Sequence, residues 1–357
     1  MKLVYALLII VPIIGVLIGL TFIIISATSN SGANAYNEVD IVNSYENTEQ
    51  LIQKFPVNNP TTVEPGLETN IQNRLLTGFE NWNKGFKAWK AWGNVLYTKD
   101  SIYNVHGARL SLASYQAAMS VSLSRNNIQM GAFHNMLICG EFCAIHYDFT
   151  TIVDETPIPG KVMEFVKFKD YGEELGTRVV EGWGSTKDDS ANGLMYFQSP
   201  KERKVQEEQN NYMLNYEIPE TDNLHLKYPI LYPTEYKDSN AKEILEIILK
   251  GFDSWNQGID SYLNWVSQAY DSEATSSGLN DQIRTMEEYK NAMRTLTSGE
   301  TIKKIYFDNI LIRENWAALH YRYTREKDGK KTAGDRMQFL KFEQKETGLK
   351  IVASWIQ

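Results

Sequence analysis

The sequence predicts an α+β protein built as two tandem copies of one domain behind an N-terminal membrane anchor. Three observations predict it: an octapeptide that recurs in register with other segments, a switch in each copy from helical to strand periodicity, and an uncharged first segment. The chain has 357 residues, enough for two domains with a core each. With 43% hydrophobic and 22% charged residues it is an ordinary folding sequence, and 12% aromatics is on the rich side. A net charge of −8 and the lack of any Lys/Arg cluster exclude a nucleic-acid role, which needs a concentrated basic face.

From Val4 to Ile25 no residue is charged. As a helix this stretch is about 33 Å long, enough for a hydrocarbon core of about 30 Å. Lys2 precedes it and Glu38, Asp40, Glu46 and Glu49 follow, so the positive-inside tendency puts the N-terminus in the cytoplasm and the remainder outside. The competing reading is a cleaved leader, for which Ala33-Asn34-Ala35 has the small-x-small form. Residues 1–26 are thus expected to anchor the chain, and 27–65, rich in Asn, Ser, Thr and Glu, to form a polar stalk.

Gly78-Phe79-Glu80-Asn81-Trp82-Asn83-Lys84-Gly85 recurs as Gly251-Phe252-Asp253-Ser254-Trp255-Asn256-Gln257-Gly258. Cys143 to Thr150 answers Ala317 to Thr324, and Met163, Phe165, Lys167 and Phe168 answer Met337, Phe339, Lys341 and Phe342. The copies are read as 66–190 and 240–357. Each opens with an amphipathic helix on one stripe: Leu75, Phe79, Trp82, Phe86 and Trp89, then Ile244, Ile248, Phe252, Trp255, Ile259, Tyr262 and Val266. A second short helix is expected near Leu112–Ser124 and near Asp281–Thr297. Strands follow at about 129–150, 161–169 and 177–184, then at 302–324, 334–343 and 348–356, as an antiparallel meander. Residues 191–239, with Pro200, Pro219, Pro229 and Pro233, read as a linker that packs on a domain in places.

The second copy's Trp255 to Asp260, its strand Glu314 to Tyr321, and its closing pair Arg336 to Phe342 and Gly348 to Val352 resemble the SnoaL-like branch of the nuclear transport factor 2-like superfamily. Leu96 to Tyr103 in the first copy is similar to that family's segment leaving the first helix. The resemblance implies two cones, each a curved antiparallel sheet wrapped on helices around a pocket. The sequence departs from the pattern at Leu349 and Thr177, where a Trp is common. Because the superfamily hosts isomerases, cyclases, dehydratases, binding modules and assembly domains, the fold does not choose a function.

His146 and His320 are equivalent and each precedes a Tyr. Strand parity sends Cys143, Ile145, Tyr147 and Phe149 to the helices, and so sends both histidines outward with Phe142 or Trp316. Phe142, His146, Trp316 and His320 are therefore expected to form a sheet-face interface, between the copies or in a homodimer. Pocket walls are expected from Trp89, Trp92, Tyr97, Tyr103 and Tyr115, and from Trp255, Tyr262, Tyr270 and Tyr289 with Asp260. Asp100 is the one candidate catalytic acid. No metal-ligand spacing and no cofactor motif occur. Cys139 and Cys143 fall on one strand about 13 Å apart, beyond the ~7 Å limit for a disulfide, and read as free thiols.

The function expected is a tethered extracytoplasmic module, not an enzyme, that binds a small apolar ligand or a protein partner. The alternative is a SnoaL-like isomerase or hydrolase acting on a small molecule. An enzyme should hold a deep pocket with a desolvated carboxylate or imidazole, whereas a scaffold should fill its pockets with its own aromatics.

Overall fold

A computed structural model describes residues 48–357, apart from 106, 126, 154, 174, 187–193 and 279–281. The predicted anchor and the first part of the stalk lie outside the described residues. Among the described residues no helix is long and apolar enough to cross a membrane.

The first half contains α1 (Thr48–Lys54), β1 (Val57–Asn59), α2 (Leu67–Asn83), α3 (Phe86–Leu96), β2 (Tyr97–Val105), β3 (Ala108–Ser111), α4 (Leu112–Arg125), β4 (Asn127–Cys139), β5 (Phe142–Val153), β6 (Thr156–Asp170) and β7 (Thr177–Thr186). Two helices, α5 (Pro200–Leu214) and α6 (Leu224–Lys227), lie in the connection. The second half repeats the pattern: α7 (Ala241–Asn256), α8 (Ile259–Ala269), β8 (Tyr270–Ser277), β9 (Ile283–Thr285), α9 (Met286–Ser298), β10 (Thr301–Arg313), β11 (Trp316–Lys327), β12 (Lys330–Lys345) and β13 (Gly348–Ile356). The sheets run β1-β4-β5-β6-β7-β2-β3 and β10-β11-β12-β13-β8-β9.

Three positions of the recurring octapeptide have the same structural role in both halves. Gly78 lets the indole of Trp92 lie against α2, where a Cβ would sit 2.4 Å from the ring; Gly251 does the same for Trp265, at 2.6 Å. Asn83 clamps β4 by donating to the Met130 carbonyl (3.1 Å) and accepting from its N–H (2.6 Å). Asn256 repeats the clamp on Lys304 of β10, at 2.7 and 3.0 Å. Gly85 (φ 102°) and Gly258 (φ 120°) then turn the chain in the left-handed region, so the expected single opening helix is in fact two in each half.

Four other expectations are corrected. The stretches 129–150 and 302–324 are hairpins: Gly140 (φ 59°) sits at the turn between β4 and β5, and Glu314 (φ 54°) at the turn between β10 and β11. The sheets are mixed, because β2 pairs parallel with β7, β1 with β4 and β8 with β13, so neither is an antiparallel meander throughout. From Thr48 onward the predicted stalk is folded: Leu51 and Phe55 enter the first core, Phe55 edge-on to Phe79, and β1 extends the sheet. The hairpin also separates the cysteines. Cys139 joins the core between the halves and Cys143 the first half's own, both as free thiols.

Both sheets turn their outer faces toward each other. Leu137, Phe142, Met163, Phe165 and Trp183 from one and Leu311, Trp316, Met337 and Phe339 from the other form a single buried cluster. The connecting helix α5 starts with a capping box, in which the Ser199 side chain accepts from the Glu202 N–H and the Glu202 carboxylate accepts from the Ser199 N–H. The same carboxylate accepts from Ser111 N–H (2.6 Å) and Ser114 Oγ (3.1 Å) at the start of α4. Burial raises the Glu202 pKa, but these hydrogen bonds outweigh it and hold the group down at about 2.

Candidate functional site

The inner face of the first sheet and helices α2, α3 and α4 enclose a cavity of about 470 Å³. Trp82, Trp89 and Trp92 come from the helices, Tyr97 and Tyr103 from β2, Tyr115 from α4, Tyr147 from β5 and Glu164 from β6. Period-2 alternation fixes this last placement: Met163 and Phe165 point to the interface, so Glu164 between them must point inward.

Among the described residues Glu164 is the one carboxylate lining the cavity. Its Oε1 accepts from the Tyr147 hydroxyl at 2.7 Å. The residue is half-buried and lines the cavity. Burial raises its pKa, against hydrogen bonds from Tyr147 and Tyr103 that favour the charged form. The phenols of Tyr97, Tyr103, Tyr115 and Tyr147 are in turn pushed up, by burial first and by Glu164 among their neighbours. These four therefore stay neutral donors at any ordinary pH. Tyr103 stacks on Tyr115 (centroids 4.5 Å apart) over Gly182, where a Cβ would lie 2.4 Å from the Tyr103 ring. The indole N–H groups of Trp82 and Trp92 are buried without a hydrogen-bond partner. The cavity thus offers apolar walls, several neutral donors and one carboxyl, a set suited to an uncharged molecule carrying oxygen acceptors.

The corresponding space in the second half is occupied. Lys304 stands where Met130 stands in the first half, Gln338 where Glu164 does, and the hydrogen-bonded Ser276–Ser354 pair where Tyr103 and Gly182 do. The Lys304 ammonium lies 4.5 Å from the centroid of Phe252, 4.7 Å from Trp255, 5.2 Å from Tyr321 and 5.5 Å from Tyr262. Tyr262 shares a 2.7 Å hydrogen bond with Tyr289, which stacks toward Tyr270. Burial lowers the Lys304 pKa to about 7.

The first set of expected pocket residues, Trp89, Trp92, Tyr97, Tyr103 and Tyr115, lines the cavity. The second set, Trp255, Tyr262, Tyr270 and Tyr289, packs on itself and on Lys304, and Asp260 is exposed and ion-paired to Arg294 at 3.0 Å. Asp100 is corrected: it lies exposed on β2 and takes no part in the cavity. Parity could have found Glu164, since the same alternation that placed the histidines outward requires position 164 to face the helices.

Phe142, His146, Trp316 and His320 are all buried on the faced sheets. The contacts are reciprocal: the His146 ring is 5.9 Å from Phe339 and the His320 ring 5.5 Å from Phe165, the two equivalent pairs exchanged. Likewise Cys139 Sγ reaches the Ile312 carbonyl at 3.5 Å, and Arg313 donates to the Ile138 carbonyl at 2.8 Å. Arg313 also pairs with buried Glu68 at 2.6 Å. His146 is pushed down to about 3 by burial and by His134 and Lys161. His320 has two acids, Asp335 at 2.9 Å and Asp308 at 3.5 Å. Among the described residues no group of His, Cys, Asp or Glu is arranged to hold a metal ion.

No family profile matches this chain, and no curated protein matches it. Solved structures do. A ketosteroid isomerase-like protein from Erwinia carotovora atroseptica aligns at 10% identity, over 33% of this chain and 95% of its own, with a TM-score of 0.28. A candidate SnoaL-like polyketide cyclase from Jannaschia aligns at 14% identity over 34% and 90%, with a TM-score of 0.29. A nuclear transport factor 2-like protein of unknown function from Pseudomonas putida aligns at 9% identity over 34% and 87%, with a TM-score of 0.26.

Proposed function

We propose that this chain binds a small, uncharged, largely apolar molecule bearing at least one oxygen acceptor, that the first half does the binding, and that the second half is its built-in partner. The observation that carries the reading is the roughly 470 Å³ cavity with Glu164 and Tyr147 in its wall, set beside an equivalent space filled by Lys304. The uncharged segment from Val4 to Ile25, with its flanking charges, supports a tether with the folded body outside the cytoplasm. Native mass spectrometry of the full-length chain from its own host tests the binding. A co-purifying molecule of a few hundred daltons that is lost in Glu164→Gln and Tyr103→Ala is the expected result; bare wild-type protein overturns it.

Glu164 favours a second reading, acid–base isomerisation of the same molecule. A desolvated carboxyl whose pKa is moved up toward neutrality can give and take a proton near the operating pH. Incubating the co-purified molecule with the protein in deuterated water distinguishes the two. Deuterium entering a carbon position with wild type but not with Glu164→Gln marks an enzyme, whereas unlabelled ligand marks a binding protein.

A further inference from the structure

The seam between the two sheets holds a second cavity, of about 530 Å³, which shares no lining residue with the one around Glu164. It is roofed by α5, which packs on β3 of one sheet and on β11 and β12 of the other. Its floor is buried, with Trp183 from β7, Tyr306 and Asp308 from β10 and Met213 from α5. Its mouth is open, since Gly107, Gln209 and Tyr212 on the rim are exposed.

Each half sets an ion pair in the wall. Glu181 Oε1 meets Arg109 at 3.5 Å and accepts from Asn104 at 3.3 Å. From the other half, Arg322 donates to Asp308 and lies 3.7 Å from Asp335, whose other oxygen meets His320 at 2.9 Å. Burial raises the Asp335 pKa, but Arg322 and His320 outweigh it and hold the carboxyl well below the usual range. Tyr232 stands between the two pairs: burial first, then Glu181 and Asp308, raise its phenol pKa against Arg109 and Arg322, so it stays a neutral donor. Its ring packs beside Trp183, with centroids 5.9 Å apart, and Tyr212 and Tyr306, 6.4 Å apart, give a second aromatic surface. The shared frame does not require this set. The strand registers align Asp308, Arg322 and Asp335 with His134, Asp148 and Lys161 of the first half, a different arrangement of charge.

We propose that this cleft binds a short oligosaccharide, neutral or amine-bearing. Sugar hydroxyls donate to carboxylates and accept from guanidinium and amide N–H groups, so a mixed pair such as Arg109–Glu181 suits neighbouring hydroxyls. The C–H face of a sugar ring packs on an aromatic face such as that of Tyr212 or Tyr232. The volume lies within the ~300–1,000 Å³ of sites for small organic ligands. Among the described residues four carboxylates line the cleft against two guanidiniums, which selects against acidic sugars. The site does not depend on what the Glu164 cavity binds.

Full-length protein, in a detergent without a sugar headgroup, is titrated with cellotriose, maltotriose, the glucosamine trisaccharide and trigalacturonate, and binding is read by saturation-transfer NMR and calorimetry. At least one of the first three is expected to bind with a Kd of ~1 mM or below, and trigalacturonate at least ~10-fold more weakly. Glu181→Gln, which keeps the shape and removes the charge, and Tyr212→Ala, at an exposed position, should each weaken binding at least ~10-fold with circular dichroism unchanged. Glu164→Gln, in the other cavity, should bind the sugar as wild type does. No binding by any of the first three, tightest binding by trigalacturonate, unchanged affinity in either cleft variant, or loss in Glu164→Gln overturns the proposal.

Discussion

The two halves share helices, clamps and glycine breaks, yet one encloses a cavity and the other fills the same space. The difference rests on a few interior positions: Met130 against Lys304, Tyr103 and Gly182 against Ser276 and Ser354, and Glu164 against Gln338. None of these residues holds the backbone in place, and the Asn clamps and the glycines that do are the same in both. The contents of such a cone can therefore change while its frame stays put. The shared frame extends to the interface, where exchanged contacts such as His146 with Phe339 and His320 with Phe165 have the form of an isologous dimer made within one chain.

The largest effect expected is at Arg313, where reciprocity is poorest because its counterpart is Cys139. Arg313→Met leaves Glu68 buried without its cation and should cost about 3–5 kcal/mol in urea unfolding. Cys139→Ala, which removes only a weak S–H donor, should cost about 1 kcal/mol. Next, Phe165→Ala and Phe339→Ala should each cost about 3–4 kcal/mol and agree within about 1 kcal/mol; a large disagreement would show that the exchanged contacts are not energetically equivalent.

Lys304→Met, which copies the first half into the second, should stabilise by about 2 kcal/mol at pH 7. Between the folded value of about 7 and the unfolded value near 10.5, only the unfolded chain holds the proton, so wild-type stability rises with pH across that window. The variant should lack this slope in urea unfolding followed from pH 7 to 10.5. A further pH-dependent effect is expected at His146. Its folded pKa near 3 lies below the ordinary 6.5, so its contribution is complete above pH 6.5 and is lost as pH falls toward 3. His146→Gln should flatten that acid limb in urea unfolding followed from pH 7 down to 3.

The repeated octapeptide made two similarly ordered halves legible, and strand parity was enough to turn Phe142, His146, Trp316 and His320 to the outer faces. The helix breaks were not seen, although Gly85 and Gly258 were part of the repeat, because the apolar stripe runs on across them and periodicity does not register a change of axis. The parallel pairings of β1, β2 and β8 depend on long-range contacts that no local pattern encodes. In the site, aromatics at helical spacing looked alike in both copies, although in one they line a space and in the other they fill it. What separates them is a lysine on a distant strand, which local reading treats as surface. Asp100 stands just past a helix end, where an acid is usually solvated, and it is exposed; Glu164 on β6 is the carboxylate that faces the cavity.

Covalent connection has a consequence for how such a protein can change. In a dimer of identical chains every substitution appears twice, so a residue that closes one cavity closes both, and any alteration at the seam must suit both sides at once. Joined through the segment that carries α5, the two halves are inherited separately. Lys304 can occupy one cone while Glu164 serves the other, and Arg313 can recruit Glu68 without a second arginine having to find a second glutamate.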